Sequence, residues 1–200
     1  MNEKPINQNQ LSKTLIIICG GSGTGKTSVK NVLVQDSNIA KLITSTTRTP
    51  RIGEEHGKDY YFITEEIFKQ ELVKGRFLEH VIYDGNYYGL HGKVIDLILG
   101  TQQKNGVIVV DIRGMISLKK YCKEKGYGVI TFLFKTPSLE KMVENMRKRG
   151  TNDKEIIDRV IMEEKQKEYL GDEKFDYIFT IENLEKTAQE IKKILLLNRG

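Results

Sequence analysis

Five apolar residues in a row, Leu15-Ile16-Ile17-Ile18-Cys19, end at Gly20 and predict a strand buried on both faces. The pattern then changes period. Val29, Val32 and Leu33 recur at helical spacing after Lys26, which predicts a helix ending near Gln35. From about Leu42 to Gly92 the chain reads as short strands and turns. Residues 60–63, 77–80 and 81–83 are strand-like, 84–86 form a turn, and one helix is predicted near 65–73. Alternation returns at Lys93, with a helix to about Lys104 and a strand over 107–110 that ends in Asp111. A helix over 115–125 and a strand over 129–134 follow. Pro137 and Ser138 open a helix that runs to about Arg149 and stops at Gly150. The spacing predicts a further helix over 154–169, a strand over 177–181, and a last helix from the Asn183 cap to about Leu197. Strands alternating with helices imply an α/β fold with a mostly parallel core sheet and a small mixed or antiparallel insertion.

Composition narrows the class without naming a chemistry. The 200 residues are 38% hydrophobic and 30% charged, the balance of a folded globular chain. No apolar run approaches the ~20 residues that span a bilayer, and the polar start, MNEKPINQNQ, has no secretory pattern. No membrane partner is expected. Cys19 and Cys122 supply neither a disulfide framework nor a metal-site spacing, so a reducing, cytoplasmic setting is expected. His56, His80 and His91 have no metal-ligand spacing either. The net charge of +5 allows two readings, a nucleic-acid binder or cations gathered around a phosphorylated ligand.

The motifs favour the second reading. Gly20-Gly21-Ser22-Gly23-Thr24-Gly25-Lys26-Thr27 fits G-x-x-x-x-G-K-[ST] between a strand and a helix, with Ser28 following. Such a loop turns several backbone N–H groups onto one phosphate, and the helix N-terminus adds positive potential. Lys26 is expected at the β- and γ-phosphates of a nucleoside triphosphate. The Thr27 hydroxyl is expected on Mg²⁺, and Asp111, at the carboxyl end of a buried strand, is expected to orient that ion through water. A turn aspartate before Gly114 is the plainer role for Asp111. Farther on, 44–51 packs five hydroxyls and two arginines into eight residues. Arg48 and Arg51 can clamp a phosphate dianion bidentately, with Tyr60 and Tyr88 as hydroxyl donors. No stacking aromatics interleave the basic residues, so no nucleic-acid partner is expected.

The phosphate loop, Thr44-Ser45-Thr46-Thr47-Arg48-x-x-Arg51, Gly53-Glu54, Gly57-Lys58-Asp59-Tyr60, Phe77-Leu78-Glu79 and Gly85-Asn86-Tyr87-Tyr88-Gly89 closely resemble the guanylate kinases. Looser likeness continues through Lys148-Arg149-Gly150-Thr151 and Phe175-Asp176-Tyr177. The resemblance implies Mg²⁺-dependent transfer of the ATP γ-phosphate to GMP, giving ADP and GDP. It implies a three-layer phosphate-loop fold with a core over 12–41, 93–136 and 170–200, a flexible tail over 1–11, a GMP-binding insertion over 42–92 and a lid over 137–169. By position, Arg48, Arg51, Tyr60 and Tyr88 match GMP-phosphate ligands, and Thr44 stands near the base. Glu79 matches the carboxylate that accepts from guanine N1 and N2, which suits an acceptor-only group. Arg149 matches a lid arginine on the ATP phosphates. Val160 stands where the family has a second catalytic arginine, and Arg159 beside it is expected to take that role. The plainer reading of Arg159 is a salt-bridge stripe with Glu155 and Glu163. Leu90 and Val109 stand where the family has a hydroxyl and an acidic residue. A monomer or homodimer is expected. The alternatives are a related kinase for another nucleotide or a sugar phosphate, and a catalytically silent binding module.

Overall fold

The computed structural model describes residues 13–83, 85–135, 138–148, 150–167 and 175–197. The expected tail, Asp84 of the turn, Pro137, Arg149 and the last residues of the helix predicted to reach 169 lie outside the described residues. The core sheet is built from β1 (Thr14–Gly20), β2 (Ile39–Lys41), β7 (Asn105–Val109), β8 (Gly128–Lys135) and β9 (Tyr177–Thr180). All its pairings are parallel, in the order β2-β7-β1-β8-β9. The unbroken apolar run of β1 is explained by that central position. Leu15, Ile17 and Cys19 enter one core and Ile16 and Ile18 the other, all essentially inaccessible to solvent.

Helices cover both faces and complete three layers. On one face α4 (Ile112–Lys125) brings Met115, Leu118 and Cys122, joined by Ile95 of α3 (Gly92–Ile95). On the other, α1 (Lys26–Leu33) and α7 (Leu184–Leu197) bring Val29, Leu33, Ala188 and Ile191. Local capping set several of these boundaries as the sequence indicates. Asn183 Oδ1 accepts from the Lys186 N–H at 2.8 Å, and Ser138 Oγ from the Lys141 N–H at 3.2 Å at the start of α5 (Leu139–Lys148). A second sheet, ordered β4-β3-β6-β5, lies entirely between the core strands β2 and β7 in sequence. It contains β3 (Ser45–Thr46), β4 (Tyr61–Phe62), β5 (Phe77–Tyr83) and β6 (Asn86–His91), with α2 (Glu65–Val73) packed against it through buried Phe68. It is mixed: β3 pairs parallel with β4, and β6 antiparallel with β3 and β5.

Two elements correct the sequence pattern. The helix expected from Lys93 to Lys104 is instead the short α3 followed by a π-helical turn over Asp96–Thr101. Tertiary contacts hold that wider turn. Asp96 accepts hydrogen bonds from the Tyr121 hydroxyl at 2.8 Å and the Tyr127 hydroxyl at 3.2 Å, both from distant elements. The edge strand β2 has no counterpart in the predicted elements. Its three residues form a strand only because β7 pairs with them. The strand predicted over 60–63 shrinks to Tyr61–Phe62.

Candidate active site

The glycine-rich loop joins β1 to α1, so its position is set by the central strand of the core sheet, buried from Leu15 to Cys19. At Gly23 the backbone has φ +76°, and a Cβ there would lie 2.7 Å from the Met142 carbonyl oxygen. Only glycine satisfies both the turn and that close approach of α5. Thr24 Oγ1 donates to the Gly21 carbonyl at 2.9 Å, and the Lys26 ammonium donates to the same oxygen, curling over its own loop. Thr27 is exposed in the first turn of α1, which carries no acidic residue to neutralise the helix N-terminus.

Among the described residues, two side chains of the helices that follow β8 hydrogen-bond to this loop. Asn145 of α5 donates through Nδ2 to the Gly23 carbonyl at 2.9 Å. Arg159 of α6 (Asp153–Lys167) lies with Nη1 3.4 Å from Ser22 Oγ, while Nη2 pairs with Glu155 at 2.5 Å. The i,i+4 salt bridge read from the sequence is therefore present, and the same guanidinium also faces the loop. Val160 packs with the cluster of Met142, Met146 and Ile156 instead.

The arginine-rich segment follows β3 and lies between it and β4, its neighbour in the second sheet. Arg48 makes a two-pronged pair with Glu54, with Nη2 2.8 Å from Oε1 and 2.9 Å from Oε2. Its Nη1 donates to the Thr49 carbonyl at 2.7 Å. The guanidinium lies 5.6 Å from the Tyr60 ring centre and 5.8 Å from that of Phe62. Tyr88 stands beside Tyr60, ring centres 6.0 Å apart, and the Tyr60 hydroxyl is pushed above its ordinary range by burial, with Tyr88 adding to the shift. Arg51 is exposed, and its backbone N–H donates to Glu54 at 2.8 Å. Glu54, part of the resembling motif but given no role by the sequence, thus ties the two arginine positions together.

The hydroxyls of this segment divide between roles. Thr46 Oγ1 accepts from the Arg48 N–H at 3.2 Å, and Thr47 Oγ1 from the Tyr87 N–H at 2.9 Å, so both shape the loop. Thr44 is half-buried, and its carbonyl accepts from the Tyr61 N–H at 2.9 Å.

Glu79 sits on β5 directly opposite Leu90 of β6, which is fully buried. The start of α4 lies over it. A Cβ on Gly114 would fall 3.3 Å from Glu79 Oε2 and 3.5 Å from Asp111 Oδ1, so glycine lets the helix approach the carboxylate this closely. Burial pushes the Glu79 carboxyl up to about 7, and the Asp111 charge adds to the shift. Asp111 begins α4, and its Oδ1 accepts from the Gly114 N–H at 2.8 Å. The capping role is thus present, two residues beyond the end of β7. Thr27 and Asp111 both present oxygen donors, the chemistry that suits Mg²⁺, which takes few protein ligands and completes its shell with water and phosphate. Among the described residues no group of three or more His, Cys, Asp or Glu side chains gathers as a metal site. Burial pushes the thiols of Cys19 and Cys122 up to about 12, which makes them packing groups. No helix among the described residues is long and apolar enough to cross a membrane.

Comparison with known proteins gives one consistent answer. The guanylate kinase family model matches residues 12–197. A guanylate kinase of Prochlorococcus marinus is 35% identical over 92% of this chain and 97% of its own length. One of Thermotoga maritima is 36% identical over 93% of this chain and 87% of its own. The crystal structure of guanylate kinase from Anaplasma phagocytophilum superposes with a TM-score of 0.71 at 25% identity, covering 96% of this chain and 89% of that one.

Proposed function

The chain belongs to the guanylate kinase family, whose members are nucleoside monophosphate kinases that phosphorylate GMP from ATP, and from that premise we propose how its residues divide the work. The glycine-rich loop, residues 20–25, with Lys26, Thr27 and Ser28, holds the ATP triphosphate. Arg48, Arg51, Tyr60 and Tyr88 hold the phosphate of GMP, and Glu79 with Thr44 reads its guanine. Arg159 and Arg149 neutralise charge from the lid side. The observation that carries this division is that the acceptor residues lie on or beside one small sheet separate from the phosphate loop: Tyr88 on β6, Glu79 on β5, Thr44 just before β3, Arg48 and Arg51 in the segment between β3 and β4, and Tyr60 just before β4.

Phosphoryl transfer asks for alignment and charge neutralisation rather than covalent help from the protein. The insertion over 42–92 brings the acceptor phosphate in line, the lid over 137–169 covers the donor, and closure excludes water that would otherwise hydrolyse ATP. Mg²⁺, held by Thr27 and through water by Asp111, supplies charge compensation for the triphosphate when bound. No side chain is assigned as an essential general base.

An ADP-release assay over GMP, dGMP, AMP, CMP and UMP tests the acceptor reading. GMP is expected to turn over at least tenfold more efficiently than AMP, CMP or UMP, because adenine lacks the N1–H and N2 donor pair that an ionised Glu79 accepts. Equal turnover of AMP and GMP overturns the base assignment.

The raised Glu79 pKa has a signed consequence. Both carboxyl oxygens can accept from the guanine donor pair only when the group is ionised, and it gains its proton as pH falls through about 7. The kcat/KM for GMP is therefore expected to be level above pH 8 and to drop about tenfold per pH unit well below pH 7. Glu79→Gln should remove that limb while leaving any slope due to the substrate phosphate. A wild-type profile that matches the Gln variant between pH 6 and 8 would disprove the assignment.

A further inference from the structure

The sequence motifs give no reason to notice Asn145, yet it is one of two described side chains that bond across from the helices after β8 to the glycine-rich loop. Its Nδ2 donates to the Gly23 carbonyl at 2.9 Å across 122 residues of chain. Met142, three residues earlier on the same face of α5, is buried and lies so close that Gly23 has no room for a Cβ. α5 is thus the wall behind the loop at this one peptide.

The orientation of that peptide matters for an anion. In a trans peptide the carbonyl and the following N–H point in opposite directions. Holding the Gly23 carbonyl toward α5 aims the Thr24 N–H away from it. A flipped peptide would turn a carbonyl oxygen where an anion cradle needs an N–H. The flip would turn ψ of Gly23, which glycine tolerates, and carry φ of Thr24 from negative to positive, which a β-branched residue resists. The donor on α5 reinforces that preference from outside the loop.

We propose that Asn145 is a positioning residue for the ATP phosphates, fixing the Gly23–Thr24 peptide in its N–H-presenting orientation from the lid helix. This rests on the reading that the loop holds the ATP triphosphate. It also ties the lid to the cradle: a displacement of α5 releases the carbonyl and weakens the anion site.

The test is ATP affinity measured by calorimetry without GMP, beside thermal melting. Asn145→Leu keeps the volume and removes the donor, and ATP affinity is expected to fall about three- to tenfold, the size of one neutral hydrogen bond. Asn145→Asp places an ionised acceptor against the carbonyl and should weaken ATP further at pH 8. As pH drops toward 4, the ordinary range of an aspartate, the Asp variant regains a proton and an O–H donor, so its deficit relative to wild type should shrink. A merely structural role would not move with pH in that way. GMP affinity should stay within twofold of wild type in both variants. Wild-type ATP affinity in both variants overturns the proposal, as does a deficit in Asn145→Asp that is the same at every pH. Lys26→Ala separates the two readings. If it abolishes ATP binding while both Asn145 variants bind normally, only the role of Asn145 fails. If Lys26→Ala also binds ATP normally, the reading of the loop itself fails.

Discussion

Lys26→Ala is expected to lower kcat by roughly 10²–10³-fold, about 3–4 kcal/mol of transition-state stabilisation, the scale of removing one preorganised electrostatic group. The side chain leaves the first residue of α1, and its ammonium folds back to the Gly21 carbonyl and to within 3.4 Å of Thr24 Oγ1. It is held over the loop by bonds that a triphosphate can replace, since a phosphate oxygen is a stronger acceptor than a neutral carbonyl. Charge on the transferring group grows in the transition state, so the loss should appear in kcat as well as in ATP affinity. Lys26→Arg is expected to restore little. A compact ammonium on a flexible stem fits against a tight loop, whereas a planar fork does not. The measurements are steady-state kinetics by ADP release, GMP affinity by calorimetry and a melting curve. GMP affinity within twofold of wild type and an unchanged melt would place the defect on the donor side. A kcat within fivefold of wild type would overturn the role given to Lys26.

What the sequence made legible was what depends on neighbours in the chain. The phosphate loop is a local device: strand, glycines, lysine, hydroxyl and helix follow one another, and the structure places them between β1 and α1. Helix caps at Ser138 and Asn183 were readable for the same reason. Features made by distant partners were not. β2 is three residues that become a strand only against β7. The π-helical turn is fixed by tyrosines 25 and 31 residues away from Asp96. Asn145 looked like any polar residue on a helix until α5 was seen against the loop. Among the hydroxyls of the 44–51 segment, the resemblance places only Thr44 near the ligand. Thr46 and Thr47 turn out to brace the segment's backbone, a distinction no residue pattern carries. The pairing of Arg159 with Glu155 was legible from i,i+4 spacing, whereas its approach to Ser22 required the fold.

On the acceptor side, Arg48→Ala is expected to lower kcat/KM for GMP by about 100-fold or more and to leave ATP affinity within twofold. Arg48 is charged, only slightly exposed, and pre-aligned. Glu54 grips Nη2 with both oxygens, the Thr49 carbonyl takes Nη1, and the Tyr60 and Phe62 rings lie within 6 Å. A side chain held that firmly loses little entropy when a phosphate arrives. One hydrogen bond to a charged group contributes about 1.5–3 kcal/mol, so two such bonds to a dianion account for a hundredfold. Arg48→Lys should recover only a small part, because one ammonium cannot keep the Glu54 pair and reach the phosphate together. Glu54 supplies a second, opposite-handed check. It also accepts from the Arg51 N–H, so Glu54→Gln loosens both arginine positions at once. Its carboxylate repels the incoming phosphate, however, and that repulsion disappears in the variant. If alignment dominates, Glu54→Gln raises the GMP KM severalfold; if repulsion dominates, it lowers it. The 2.8 Å geometry of both bonds favours alignment, and the expected result is the higher KM. A double-mutant cycle between Arg48→Lys and Glu54→Gln reads the coupling directly. Strict additivity on GMP KM would mean that Glu54 does not act through Arg48, and an unchanged kcat/KM in Arg48→Ala would remove Arg48 from the phosphate site.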